Sequence, residues 1–154
     1  MDKMSRGDLG KYDVIEISEY IIQQYDKNGK SISPFKLQPI LYFVQANFLV
    51  NANKPCFSNY IEAWDFGPVV LEVYHKYKIY GAAGIPVMNI RNKSFNIPAA
   101  DLKLIDDIIE QCLDYSMIDL LSMAKGQRPW LEARSRLVNR VLRNDVIRDY
   151  FKEK

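Results

Sequence analysis

Hydrophobic side chains recur at helical spacing along most of the chain. The first such segment starts at Tyr12 and ends at Asn28–Gly29, a typical helix stop. The second begins at Ser33–Pro34, where the serine hydroxyl can cap free amides and proline loses no needed hydrogen bond. Its apolar stripe is so broad that we expect this helix at the centre of the core. Pro39 predicts a kink there or a start delayed to residue 38.

The middle of the chain predicts a turn, a third helix and a small hairpin. Residues 60–64 favour a short extended piece, and Gly67–Pro68 then redirects the chain into a helix over residues 69–80. Residues 85–97 place β-favouring side chains around a polar centre, which predicts a two-stranded hairpin that leans on the helices.

Helical spacing returns after Pro98 and continues to the end of the chain. We expect four more helices: one after Pro98, one capped by Ser116, one starting at Pro129–Trp130, and one capped by Asn144 or Asp145. The sequence therefore predicts a mainly α protein, a compact multi-helix single domain with a small β-hairpin or short β element.

Length and hydropathy set the domain organisation. Residues 1–11 have no periodicity and predict a mobile leader, and residues 12–154 predict a single domain. The longest apolar stretch, residues 40–50, is short of the ~20 residues that cross a bilayer, and the polar N-terminus has no apolar signal segment. We expect a cytoplasmic protein that does not span a membrane.

Charge is nearly balanced but unevenly distributed. The formal net charge is +2, with residues 1–124 carrying 12 basic and 15 acidic side chains and residues 125–154 carrying 9 and 4. Near neutrality excludes a strongly basic, whole-surface nucleic-acid binder. The basic C-terminal segment remains open to three interpretations: a solvated face, a surface for an acidic protein, or a phosphate-binding surface.

No pattern of side chains predicts catalysis, a metal site or a cofactor. His75 is the only histidine, and it stands without a patterned nucleophile. Cys56 and Cys112 belong to no CxxC pair. The acidic positions from Asp106 to Glu110 are typical of a solvated helix face. We therefore expect a protein that is not an enzyme and that needs no cofactor or metal.

Tyrosine is abundant, with ten in 154 residues. Tyr74, Tyr77 and Tyr80 follow one another at three-residue spacing on the third helix, with Lys78 among them. These side chains could cover the predicted hairpin. They could equally form a protein-binding surface, because tyrosine supplies large contact area at low entropic cost.

Three segments in this order resemble a known family. They are KLQ at residues 36–38 with ILYFVQ at 40–45, IEAW at 61–64 leading into GPVV at 67–70 and Tyr74, and PWLEAR at 129–134. Their order and spacing are similar to those of the SocA-like antitoxin family, also called the Panacea domain and known as the phage-associated protein GepA. The resemblance extends over residues 12–152.

The resemblance implies a mainly helical domain of phages, prophages and mobile elements that neutralises a cognate toxin by binding it. The SocA type is similar to an adaptor that delivers its toxin to the ClpXP protease, which implies a protease of that type as a further partner. The residues that carry the resemblance are interpreted as scaffold: Leu41, Tyr42, Trp64, Gly67, Pro68, Val69, Pro129 and Trp130.

Two hypotheses follow. The first is a non-enzymatic antitoxin of a toxin-antitoxin system that binds protein through Tyr74, Tyr77, Lys78 and Tyr80. The alternative is a nucleic-acid-binding regulatory protein of phage or prophage origin that uses the basic C-terminal helices. The near-neutral total charge makes nucleic acid the less favoured partner.

Overall fold

The computed structural model describes residues 9–154, which form seven α-helices and one two-stranded antiparallel sheet. The elements follow in chain order: α1 (Val14–Lys27), α2 (Pro34–Asn51), β1 (Ile61–Trp64), β2 (Gly67–Val70), α3 (Leu71–Tyr77), α4 (Ala99–Cys112), α5 (Met117–Lys125), α6 (Arg128–Ser135) and α7 (Asn144–Lys152). The predicted mainly helical fold with a small β element is confirmed. None of the helices within the described residues is long and apolar enough to cross a membrane.

Helix α2 lies at the centre of the core, as its broad apolar stripe predicts. It contacts α1, α3, α4, α5, α7 and β2. The Ser33 hydroxyl accepts a hydrogen bond from the Lys36 amide at 3.2 Å, so the helix starts at Pro34 and the delayed start is wrong. Pro39 lies within the first turns of the helix. There it removes only the hydrogen bond to the Phe35 carbonyl, which the burial of α2 can offset.

Side-chain caps are present at the starts of α1 and α5, whereas α7 has none. Helix α1 ends at Lys27, before Gly29 with its left-handed φ of 71°. The Ser116 cap of α5 is confirmed as a capping box with Asp119. Arg143 occupies the N-cap of α7, so the predicted cap at Asn144 or Asp145 is wrong.

The predicted hairpin over residues 85–97 is wrong, because this segment contains only turns and irregular structure. It packs against α1. The side-chain amide of Gln23 donates to the carbonyls of Ile90 and Lys93 at 3.0 and 2.7 Å. Lys93 and Arg91 also form ion pairs with acidic side chains of α1. The β-favouring residues here anchor a loop onto a helix and do not alternate between two faces of a sheet.

The hairpin lies earlier in the chain, where β1 pairs with β2 from Ile61↔Val70 to Trp64↔Gly67. The predicted extended piece became β1, whereas β2 replaced the expected start of the third helix, which begins at Leu71. Gly67 has a φ of 151°, and a Cβ at this position would lie 2.8 Å from Leu121 Cδ2. The positive φ is the reason that glycine is favoured at this turn, since the Leu121 side chain can move aside.

Residues 1–8 of the predicted leader lie outside the described residues. The remainder of that segment contacts the domain. The Gly10 amide donates to the Ser58 hydroxyl at 2.7 Å, and the Lys11 ammonium lies 3.2 Å from the Asp101 carboxylate.

Candidate protein-binding site

A row of four half-buried aromatic rings crosses the hairpin, and we call it the aromatic row: Phe35, Phe66, Trp64 and Tyr74. Consecutive ring centroids lie 5.3, 5.9 and 4.9 Å apart. The first two contacts are edge-to-face and the last is tilted, arrangements that aromatic pairs favour. The row joins the start of α2 to α3 through the hairpin turn. It therefore fixes the position of α3 relative to the core.

Polar groups surround the last ring of the row. The Lys78 ammonium lies 5.8 Å from the centroid of the Tyr74 ring and 3.3 Å from His75 Nδ1. His75 and Lys78 are both exposed, and the imidazole packs edge-on to Tyr74 at 5.6 Å. A cation over an aromatic face is a common feature of recognition surfaces. His75 has no nucleophile beside it among these contacts.

One of the four residues predicted to bind a partner, Tyr77, does not reach the surface. Tyr77 is only 4% exposed, whereas Tyr80 is 38% exposed and Lys78 is also accessible. Helix α3 ends at Tyr77, and residues 78–80 continue as a 3-10 turn. The tighter turn rotates Tyr80 away from the direction that a continuous α-helix would give it.

Tyr77 belongs to the core. Burial raises the pKa of its hydroxyl well above the ordinary value, and the nearby Glu19 carboxylate raises it further. The Tyr77 hydroxyl has no hydrogen-bond partner among the described residues. Ile79, which the sequence interpretation missed, is 83% exposed beside Lys78. We define the α3 surface as Tyr74, Lys78, Ile79 and Tyr80.

The scaffold residues near the C-terminus clamp the hairpin. The Trp130 indole donates to the Trp64 carbonyl at 3.1 Å. The Arg134 guanidinium donates to the Ala63 carbonyl at 3.1 Å and to the Asp65 carboxylate at 2.6 Å. Pro129 is buried at the start of α6, which positions both side chains. Helix α6 thus holds β1 and the hairpin turn in place.

The scaffold residues of α2 and β2 hold the other side of the hairpin. Leu41, Tyr42 and Val69 are fully buried, and Pro68 is buried beside them. Gln38, also buried, donates to the Val70 carbonyl at 3.3 Å and accepts the Val70 amide at 2.8 Å. Val70 directly precedes α3, so these two hydrogen bonds from Gln38 fix the point at which β2 ends and α3 begins.

Acidic side chains bind many cations of the basic C-terminal segment. Among residues 9–154, five ion pairs lie wholly or partly within residues 125–154: Arg128–Glu153, Arg134–Asp65, Arg136–Glu132, Arg143–Glu132 and Arg148–Asp149. The Lys125 ammonium and the Arg134 guanidinium lie 5.6 and 5.7 Å from the Trp130 ring centroid. These contacts leave fewer free cations for phosphate groups than the net charge of the segment indicates.

Other candidate chemistry is dispersed over the fold. Cys56 and Cys112 are buried and unbonded, and burial raises the pKa of the Cys112 thiol to about 11. The Asp106 carboxylate accepts a hydrogen bond from the Tyr20 hydroxyl at 2.6 Å. Within residues 9–154, no group of three or more His, Cys, Asp and Glu side chains could hold a metal ion.

The aromatic row could be found only in part from the sequence. Trp64 and Tyr74 belong to the segments that carry the family resemblance, whereas Phe35 and Phe66 lie just outside them. Both phenylalanines directly flank the segments that carry the resemblance, at residues 36–38 and 67–70. Their position beside these segments is the sequence feature that could have identified them as part of the row.

Comparisons with known proteins agree with this arrangement. The family model for the SocA-like antitoxin, Panacea domain, matches residues 37–131, which include Gln38, Trp64, Val70 and Trp130. Antitoxin SocA from Caulobacter vibrioides is 42% identical over 50 residues, a match that covers 32% of this chain and 27% of that protein. No solved structure matches the chain. Because the family model covers more than half of its residues, the chain belongs to the SocA-like antitoxin family with a Panacea domain.

Proposed function

We propose that this protein neutralises a cognate toxin by binding it directly through the α3 surface. Family membership supports a non-enzymatic antitoxin role in general terms. The observation that carries the choice of surface is the combination of exposed Ile79, Lys78 and Tyr80 with the fixed aromatic row. Tyrosine and exposed aliphatic side chains on a rigid support are typical of the centre of a protein interface.

The backbone hydrogen bonds of the hairpin favour a toxin that contacts side chains over one that adds a strand to the sheet. The Val70 backbone groups are bonded to Gln38. On the other side of β1, the Leu142 amide donates to the Ile61 carbonyl at 2.8 Å, and the Ala63 amide donates to the Arg140 carbonyl at 2.8 Å. A partner that adds a strand needs a row of free backbone groups. The toxin would therefore contact side chains of α3 and of the turn after it.

Charge defines the kind of partner surface. Lys76 and Lys78 are both exposed on α3 and its 3-10 turn, beside the imidazole of His75. An acidic surface on the toxin would complement these groups and would accelerate the encounter at low salt. Ile79 and Tyr80 would supply the apolar contact at the centre.

Co-expression tests this function. The protein is produced together with the product of each adjacent reading frame, and growth and complex formation are followed. Relief of growth arrest and co-purification as a stable complex are expected for one of these products. Failure with every neighbouring product would overturn the proposed function.

The fate of the toxin distinguishes two forms of neutralisation. A protease adaptor would shorten the half-life of the toxin in cells that contain the ClpXP protease, and removal of the protease would restore it. Binding that only covers the toxin would leave its half-life unchanged. A pulse-chase measurement of the toxin in both backgrounds separates these outcomes.

A further inference from the structure

Two adjacent aliphatic side chains project from the connection between α6 and α7. Leu137 is 91% exposed and Val138 is 72% exposed. Single exposed apolar side chains are normal on a protein surface. A neighbouring pair this accessible on a short connection is less ordinary, and we call residues 136–140 the aliphatic loop.

Side-chain hydrogen bonds brace the aliphatic loop. The Arg136 guanidinium donates to the carbonyls of Asn139 and Val141 at 2.6 and 2.5 Å. It also donates to the Glu132 carboxylate at 2.8 Å. The Arg140 guanidinium donates back to the Arg136 carbonyl at 2.6 Å, which closes the loop on itself.

The base of the loop is attached to the hairpin. The Arg140 carbonyl accepts a hydrogen bond from the Ala63 amide, and the Leu142 amide donates to the Ile61 carbonyl. Val141 forms an isolated bridge with Glu62. Asn139 adopts a left-handed φ of 53°, a conformation that asparagine tolerates better than most residues. Leu137 and Val138 therefore project from a loop whose backbone is held by hydrogen bonds. A binding element that is ordered in advance loses less conformational entropy when its partner binds.

The charges around the loop favour one kind of occupant. Arg136 and Arg140 belong to the loop, and Arg143 follows in the same connection. Glu132 pairs with Arg136 and Arg143, so Arg140 is the arginine of the three without an ion pair among the described residues, and the four groups together carry a net positive charge. A second copy would bring like charges together at this point. Nucleic acid would leave Leu137 and Val138 without an apolar contact. A protein surface with an apolar pocket and a carboxylate rim satisfies both features.

We propose that the aliphatic loop is a second contact with the toxin, and that it inserts Leu137 and Val138 into an apolar pocket rimmed by carboxylates. This inference rests on the proposed function. The loop and the α3 surface are attached to the same strand, since Tyr74 packs on Trp64 and Arg140 bonds to Ala63. The two attachments are at adjacent residues of β1, so the base of the loop lies close to the aromatic row.

Calorimetric titration with the co-purifying neighbouring gene product tests the proposal. The double variant Leu137→Ser and Val138→Ser is expected to weaken binding about tenfold or more, because two apolar contacts are lost. Arg140→Glu reverses the charge that would face the carboxylate rim of the partner. It is therefore expected to weaken binding, and the loss of affinity is expected to be larger at low salt than at high salt. Ile118→Ser is the matched control, because Ile118 is also an aliphatic residue at 68% exposure, on α5.

The outcomes separate this inference from the function on which it rests. A complex that forms normally, with equal affinity for the double variant and the wild type, overturns the loop contact alone. Absence of any complex with the wild type overturns both proposals. Association of the wild-type chain with itself in sedimentation that the double variant abolishes would identify a second copy as the occupant and would contradict the inference.

Discussion

The indole nitrogen of Trp130 donates a hydrogen bond to the backbone carbonyl of Trp64 across 66 residues of sequence, at 3.1 Å. This bond connects two of the segments that carry the family resemblance. It fixes α6 against the last residue of β1, next to the hairpin turn. The ring of Trp64 in turn supports Tyr74 on α3. The family motifs therefore build the support on which the α3 surface stands.

Replacing Trp130 by phenylalanine tests this connection. Trp130→Phe keeps an aromatic ring but removes the donor, so the Trp64 carbonyl loses its partner and the free energy of unfolding is expected to fall by about 1 kcal/mol. Urea unfolding followed by circular dichroism measures the change. Leu131→Ala, at the neighbouring and 49% exposed position, is the control and is expected to change stability little. Equal stability of the phenylalanine variant and the wild type would contradict the role of the bond.

The two tyrosines at the end of α3 are expected to respond differently to the same substitution. Tyr77→Asp places a carboxylate in the core near Glu19 and is expected to lower the free energy of unfolding by about 3 kcal/mol or more. Tyr80→Asp lies at the surface and is expected to stay within about 0.5 kcal/mol of the wild type. Thermal and urea unfolding compare the two variants. A folded Tyr77→Asp variant of wild-type stability would show that this side chain is not required in the core.

Gln38 is expected to matter through both backbone groups that it binds. Gln38→Leu leaves the Val70 amide and carbonyl buried without this partner, which is expected to cost about 2 kcal/mol of unfolding free energy. Because Val70 precedes α3, hydrogen exchange at the start of α3 is expected to accelerate as well. Gln111→Leu, at an exposed position of α4, is the matched control. Unchanged hydrogen exchange in α3 of the Gln38→Leu variant would contradict a role of Gln38 in stabilising the start of α3.

Stability is expected to fall in alkaline solution. Burial raises the pKa of Tyr25 and Tyr42 above the ordinary value, and the same cause, with a hydrogen bond to Asp106, raises the pKa of Tyr20. Below the unfolded-state pKa of about 10, both states keep these protons and the stability is fully present. Above it, only the unfolded chain ionises, so the free energy of unfolding falls as pH rises.

Urea unfolding over an alkaline pH series measures this loss, and near-ultraviolet absorbance reports tyrosinate. Tyrosinate from the buried rings is expected to appear together with unfolding. The Tyr42→Phe variant is expected to show a shallower pH dependence, since it removes one such group. A free energy of unfolding that stays constant through the tyrosine titration would contradict these shifts.

Local signals predicted the helices well. Ser33, Ser116 and Asn28–Gly29 act through hydrogen bonds and backbone angles within a few residues, so the sequence around them is sufficient. The breadth of the α2 stripe likewise placed that helix at the centre. The delayed start that Pro39 predicts is wrong, because a proline in the second turn removes one hydrogen bond from a helix that burial holds on all sides.

Long-range contacts explain what the sequence could not predict. Residues 85–97 have β propensity, but their polar groups pair with Asp26, Glu19 and Gln23 of α1. The strand β2 contains a proline and is held by Gln38 and by its pairing with β1, neither of which is visible in a local pattern. The three-residue spacing of the tyrosines likewise does not predict that the α-helix ends at Tyr77 and continues as a 3-10 turn.

The central claim is that the α3 surface binds a toxin, and a calorimetric dissociation constant tests it most directly. The wild type is titrated with the co-purifying neighbouring product, beside Tyr80→Asp and the control Tyr115→Asp, which alters a tyrosine of 45% exposure after α4. A loss of affinity of about tenfold or more is expected for Tyr80→Asp, with no change for the control. Equal affinity of Tyr80→Asp and the wild type, or a loss confined to Tyr115→Asp, would contradict the account.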